Sequence, residues 1–186
     1  MFTLVTGGGG GAVGTASPVR RSDSLTQSNE AVPGREELQA MAEGLALSAV
    51  YWPGMTEITD RRWVLMAASD TFEAWVIGWP PGGTIALHDH GDSAGAVVVA
   101  QGELVETLVA EHANGFVTTT SRRMAAGTSW SMGRRHVHDV VNDSSLPAVS
   151  VHVYAPRLTC MTNYRLEGGT LTAQETVHYR LGDVVP

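Results

Sequence analysis

The sequence predicts an all-β fold, an antiparallel sandwich or barrel led by one helical segment. Three observations predict it: short apolar, β-branched stretches recur every ~8–15 residues, turn residues separate them, and little helical periodicity lies between them. A length of 186 residues suits one domain with a tail. The hydrophobic share of 43% and charged share of 17% allow a packed core and exclude global disorder.

Residues 1 to 34 are rich in Gly, Ser, Thr and Pro and show no sustained period. The run Gly7 to Gly11 costs too much backbone entropy to hold a fixed path. No Gly-Lys-Ser/Thr and no amphipathic helix follow it, which argues against a phosphate loop. The expectation is a disordered tail over 1–34 and a single domain over 35–186. From Arg35, residues Leu38, Met41, Ala42, Leu45 and Ala49 fall at helical spacing. Glu36 and Glu37 suit the positive end of that helix, and Pro53-Gly54 stops it. Strands are then expected over 63–66, 72–79, 94–100, 104–109, 115–120, 137–141 and 148–154, with Pro80-Pro81-Gly82-Gly83 closing the second.

The net charge of -7 argues against nucleic acid or an anionic membrane as partner. The apolar runs fall far short of the ~20 residues a membrane helix needs. The N-terminal stretch lacks a basic region followed by a continuous apolar one, so a cytoplasmic location is expected. A single cysteine, Cys160, excludes an intramolecular disulfide and Cys-rich metal sites.

The seven histidines carry the chemistry. His88 and His90 are two apart, so on an extended strand both rings leave the same face and offer two nitrogens to one divalent metal. The pattern Gly82-x5-His88-x-His90-x4-Gly95-x6-Gly102 resembles the first motif of the cupin superfamily, small double-stranded β-helix (jelly-roll-like) barrels with a metal in the mouth. Cupins usually place a Glu ligand where this chain has Gly95. A second motif should supply one more His. Gly133-x2-His136 fits its front half and His138-x3-Asn142 its back half; the two share a strand face, and the distance to Asn142 favours His138. His112 and His178 lie in polar segments and are expected at the surface. Three imidazoles without a carboxylate suggest Fe(II) held on one face, with Zn(II) as the competitor; spacing does not separate the two.

The wording around these motifs is more specific. Trp79-Pro80-Pro81-Gly82, Ile85-Ala86-Leu87-His88-Asp89-His90-Gly91-Asp92-Ser93, Gly102-Glu103-Leu104-Val105-Glu106-Thr107, His138-Asp139-Val140-Val141-Asn142 and Ala148-Val149-Ser150-Val151-His152-Val153-Tyr154-Ala155-Pro156 together resemble cysteine dioxygenases, the thiol dioxygenase branch of the cupins. The resemblance implies Fe(II) on His88, His90 and His138, and a small thiol and O2 as substrates. It also implies a relay of Ser150, His152 and Tyr154. Independently, these three alternate along one strand and share a face, where three polar groups are costly without a role. The resemblance further implies an Arg that clamps the substrate carboxylate, placed at Arg62 by counting back from Trp79 and Phe72, with Arg61 as the adjacent alternative. Arg rather than Gln there leans toward L-cysteine and oxidation to cysteine sulfinic acid.

The chain departs from the family in two places. Gly95 stands where many animal members carry a Cys crosslinked to the active-site Tyr, so no thioether to Tyr154 forms. Ala155-Pro156-Arg157 replaces Ser-Pro-Pro, which makes Ala155-Pro156 a candidate cis bond and puts Arg157 near the pocket mouth. Cys160 is expected to be packed or lightly exposed. The competing readings are a dioxygenase for 3-mercaptopropionate or another small thiol, a non-catalytic metal-binding cupin, and a different cupin enzyme.

Overall fold

A computed structural model of the chain describes residues 31–48, 54–113 and 115–180. The glycine run, Ala49 and Pro53 lie outside the described residues; the helix expected to run to Pro53-Gly54 ends earlier, at Ala46. The first element is helix α1 (Arg35–Ala46). Its stripe Leu38, Ala42 and Ala46 is buried, whereas Leu47 is 86% exposed, so the helix ends where its packing face ends. Glu37 reaches back to accept a hydrogen bond from the Gly34 amide at 2.7 Å, which satisfies one of the free N-terminal donors.

Strands β1 (Arg62–Ala68), β2 (Glu73–Trp79), β3 (Thr84–His88), β4 (Ala94–Gln101), β5 (Glu103–Glu111), β6 (Val117–Ala125), β7 (Ser129–Met132), β8 (Val137–Val141), β9 (Ala148–Ala155), β10 (Cys160–Glu167) and β11 (Thr170–His178) follow. They form two antiparallel sheets, ordered β1-β2-β9-β4-β7 and β11-β10-β3-β8-β5-β6. From β2 to β10 the chain passes back and forth between the sheets, which is the double-stranded β-helix the first motif implies. Each expected strand is present. Strands β3, β7, β10 and β11 are additional. They are short (β7 has four residues) or mostly exposed and polar (β11), so no apolar run marks them in the sequence. Among the described residues no helix is long and apolar enough to cross a membrane.

Side-chain alternation divides the core. Val151, Val153 and Ala155 of β9 face α1 together with Ala96 and Val98 of β4. The opposite face of the same sheet, with Val97, Val99, Trp79 and Ala148, meets Leu104, Met124 and Val140 across the inter-sheet space. Ser150, His152 and Tyr154 therefore point between the sheets, and the candidate site lies there. Two turns demand glycine. Gly102 (φ 74°) joins β4 to β5, and a Cβ on it would lie 2.7 Å from the Pro147 carbonyl oxygen. Gly91 (φ 56°) turns the chain just after His90, and a Cβ there would lie 2.7 Å from Cys160 Sγ.

Candidate metal centre

The last residue of β3, His88, pairs in register with His138 of β8, and His90 follows two residues beyond the strand end. All three rings are buried, with relative exposures of 3%, 1% and 2% for His88, His138 and His90. The ring centroids lie 4.6 to 5.2 Å apart, and one ring nitrogen from each falls within 4.8 Å of the other two. His88 Nδ1 donates to the Ala86 carbonyl at 2.8 Å, which leaves Nε2 free to face His90 Nε2 at 3.2 Å. His138 Nε2 is buried without a partner. Burial, reinforced by repulsion from the neighbouring rings, lowers the pKa of His88 and His90 well below the usual imidazole value. Burial also lowers that of His138, against the opposing pull of Glu106. The rings are neutral near pH 7, so their lone pairs are available. Three neutral nitrogens converging beside an unpartnered ring atom fit a divalent metal ion.

His136 lies outside this cluster. Its ring is half-buried, and its Nε2 faces Glu106 Oε1 at 3.6 Å. With Glu106 and His138 it forms a second grouping of metal-capable atoms that shares only His138 with the first. Gly95, where a cupin carboxylate would stand, is buried beneath Tyr154. A Cβ there would lie 3.0 Å from Tyr154 Cδ1 and 3.2 Å from Met132 Cγ, so the phenol ring fills the space an acid would need.

The polar row on β9 is continuous. Trp79 Nε1, which can only donate, is 2.8 Å from Ser150 Oγ. Ser150 Oγ lies 2.8 Å from His152 Nε2, His152 Nδ1 lies 3.1 Å from the Tyr154 oxygen, and that oxygen lies 3.3 Å from His90 Nε2. Because the indole only donates, the Ser150 hydroxyl keeps its own hydrogen to offer His152, and a row running in that sense ends with the phenol hydrogen directed at His90. The row needs a neutral imidazole, and burial holds the His152 pKa at about 3. Burial likewise raises the Tyr154 pKa above its ordinary value, so the phenol keeps its proton.

The cation comes from the residue beside the expected one. Arg62, expected to reach the cavity, is instead exposed, and its guanidinium passes Gly54 on the outer face. Arg61 lines the cavity with Trp63, Trp75, Trp79, His88, His138 and Tyr154 among others. The reason is parity. Trp63 faces inward, so Arg61 does too, and Arg62 must face outward. The Arg61 guanidinium carbon lies 5.4 Å from the ring centroids of both Trp63 and Trp79, and its Nη1 is buried without a partner.

A family model described as cysteine dioxygenase type I matches residues 24–166. The chain belongs to the cysteine dioxygenase type I family. Cysteine dioxygenase type 1 from Bos taurus is 26% identical over 162 residues, covering 81% of this chain and 80% of the bovine protein; the Homo sapiens protein gives the same values. Among solved structures, the protein TT1209 from Thermus thermophilus superposes with a TM-score of 0.44 at 23% identity, over 53% of this chain and 85% of that one. A recombinant oxalate oxidase in complex with glycolate superposes with a TM-score of 0.47 at 17% identity, over 55% and 54%.

The remaining residues singled out in the sequence have distinct surroundings. Ala155-Pro156 is cis. Arg157 does not line the cavity; its Nε lies 3.4 Å from the buried Glu73 carboxylate, which also accepts from the Leu158 amide. Cys160 is half-buried against Gly91. His112 and His178 are exposed. Two acids had no role in the sequence reading. Asp89, between the two histidines, accepts from the Gly91 and Thr162 amides at 3.0 and 3.3 Å and from the Tyr164 hydroxyl at 2.8 Å, pinning the loop that carries His90. Glu106 is 0% exposed, and its Oε1 lies 2.6 Å from His138 Nδ1. Burial alone would raise its pKa; the nearby His136 ring, the hydrogen bond from His138 and the charge of Arg122 outweigh burial and hold it well below the usual carboxylate range. The signal for Glu106 is an acid on the inward face of a strand that otherwise carries Leu104 there.

Proposed function

We propose that the chain is a non-haem Fe(II) dioxygenase that oxidises the thiol of L-cysteine to cysteine sulfinic acid with O2. The observation that supports this most directly is the meeting, in one cavity, of three neutral imidazoles, a phenol and a guanidinium with an unpartnered nitrogen. Both oxygen atoms of O2 end on sulfur, so the overall reaction needs no external reductant. Fe(II) held by His88, His90 and His138 would supply a redox-active Lewis acid at which a thiol ionises near neutral pH and dioxygen is activated.

The remaining work belongs to the protein. Arg61 binds the substrate carboxylate through two parallel hydrogen bonds, fixing the distance between that group and the sulfur. Its place between two indoles pre-orders the guanidinium, so little side-chain freedom is lost on binding. Tyr154 donates its proton into the cavity once His90 Nε2 is engaged elsewhere, and the row back to Trp79 keeps that proton aimed. The Trp and Ile walls exclude water and strengthen each of these contacts.

One observation favours a second substrate, 3-mercaptopropionate. No Asp or Glu lines the cavity among the described residues, so the wall offers the amino group of cysteine no counter-charge. The deciding experiment is oxygen uptake and sulfinate yield by iron-loaded protein with each thiol. Faster uptake with L-cysteine is expected. Preference for 3-mercaptopropionate would move the assignment to that acid, and no uptake with any small thiol would end the dioxygenase reading.

A further inference from the structure

The three imidazoles are backed in three different ways. His88 Nδ1 donates to a peptide carbonyl, and His90 Nδ1 is buried with no partner. His138 Nδ1 donates to a carboxylate, Glu106, at 2.6 Å. That carboxylate is itself anchored. Arg122, its register partner on β6, donates to Oε2 through Nε at 2.6 Å and through Nη2, while lying 4.8 Å over the Trp130 ring. Arg122 remains 38% exposed, so the ion pair is wet at one end and dry at the other, where Glu106 meets His138.

We propose that Glu106 is a positioning residue for the metal centre, resting on the reading of His88, His90 and His138 as ligands. By accepting the Nδ1 proton it locks His138 in the tautomer that presents Nε2 to the cluster, and it holds the ring plane. Its negative charge stands one ring away from the ion. The donor set is neutral because Gly95 excludes an acid from contact, and Glu106 returns that charge behind a ligand instead of beside it. The substrate's positions stay open, and the more highly charged state of the ion is favoured. A carboxylate behind a metal-bound imidazole is worth about 10–100-fold in metal affinity.

The test uses the full chain and Co(II) as probe, with Glu106→Gln and, because Gln leaves Arg122 facing a neutral amide, Glu106→Gln/Arg122→Gln set against Arg122→Gln. Co(II) affinity should fall about 10–100-fold in each pair, and the Fe(III)/Fe(II) midpoint of the iron-loaded variants should move positive. A wild-type measurement needs no variant. Histidine ring nitrogen NMR of the Zn(II)-loaded protein should show His138 carrying its proton on Nδ1, with the far-downfield proton of a short bond to a carboxylate. Proton loss from that nitrogen, or two ions bound per chain, would instead make Glu106, His136 and His138 a second metal site and overturn the proposal. So would affinities within about twofold and an unmoved midpoint. If wild type binds no Co(II) at all, the ligand assignment itself has failed, which is a different result from equal binding by wild type and Glu106→Gln.

Discussion

Two polar rows approach the imidazoles from opposite sheets, and they are built on opposite principles. The row on β2 and β9, from Trp79 through Ser150 and His152 to Tyr154, is buried and made of neutral groups. The row on β6, β5 and β8, from Arg122 through Glu106 to His138, is charged and open to water at its outer end. A neutral row can be wholly buried because each hydrogen bond satisfies both partners without a net charge to desolvate. A charged row needs its wet end, since a buried acid without Arg122 would shed its charge by taking up a proton. The neutral row therefore suits aiming a proton, and the charged row suits fixing a ligand.

The largest effect should come from cutting the charged row at its inner end. His138→Ala should abolish Co(II) or Fe(II) binding, measured by metal content after dialysis, whereas His136→Ala should retain most of it. The reverse result would exchange the two residues. Next in size is a residue on neither row. Arg61→Ala should lower kcat/KM for L-cysteine by about 10²-fold, mostly through KM, as expected when a charged hydrogen bond to substrate is lost. Cysteamine, which has no carboxylate, should suffer far less, and Arg62→Ala should change neither substrate. Equal losses on both substrates would remove the clamp.

That last contrast marks where the sequence was legible. The strands were readable because short apolar stretches alternate with turn residues, and the β-helix and the set His88, His90 and His138 because two motifs resemble those of a known family, with the distance to Asn142 favouring His138 over His136. The choice between Arg61 and Arg62 turned on strand parity, which Trp63 encodes; counting from Trp79 missed it because the β1–β2 pairing is irregular between Leu65 and Ala67. Glu106 was hidden for another reason. Its partners, Arg122 and His138, lie 16 and 32 positions away, and only the β5–β6 and β5–β8 registers bring them together. Sequence spacing reveals groups that share a strand, such as Ser150, His152 and Tyr154, far better than groups that share a sheet.

Cutting the neutral row should have a smaller effect, and on rate alone. Tyr154→Phe should lower turnover by roughly 10-fold with metal content unchanged, the size expected for loss of one hydrogen bond to the reacting group. Gly95→Ala should give a weaker version of the same defect, since the new methyl must displace the Tyr154 ring by a few tenths of an ångström. Unchanged turnover in Tyr154→Phe would reduce the row to packing.

The smallest effect, and the one that reads the two rows separately, is on stability of the metal-free protein against pH. His152 has a pKa of about 3 in the fold and 6.5 when exposed. Between those values the unfolded chain holds a proton the folded one does not, so stability falls as pH falls, by about 1.4 kcal/mol per pH unit for each such group. His88, His90 and His138 act in the same sense. Glu106 behaves similarly but lower. Its folded pKa is depressed below the usual 4.5, so its contribution is complete above that value and is lost only as pH drops beneath it. The window from pH 6.5 to 4.5 therefore reports histidines, and the region below 4.5 adds the acid. Denaturant titrations of the apo protein should show His152→Gln flattening the upper window by one proton's slope, whereas Glu106→Gln removes the loss below 4.5 and, by releasing His138 from the pull that raises its pKa, leaves the upper window no flatter. If Glu106→Gln instead flattened the upper window, the carboxylate would be titrating with the imidazoles, and the division between a neutral and a charged row would not hold.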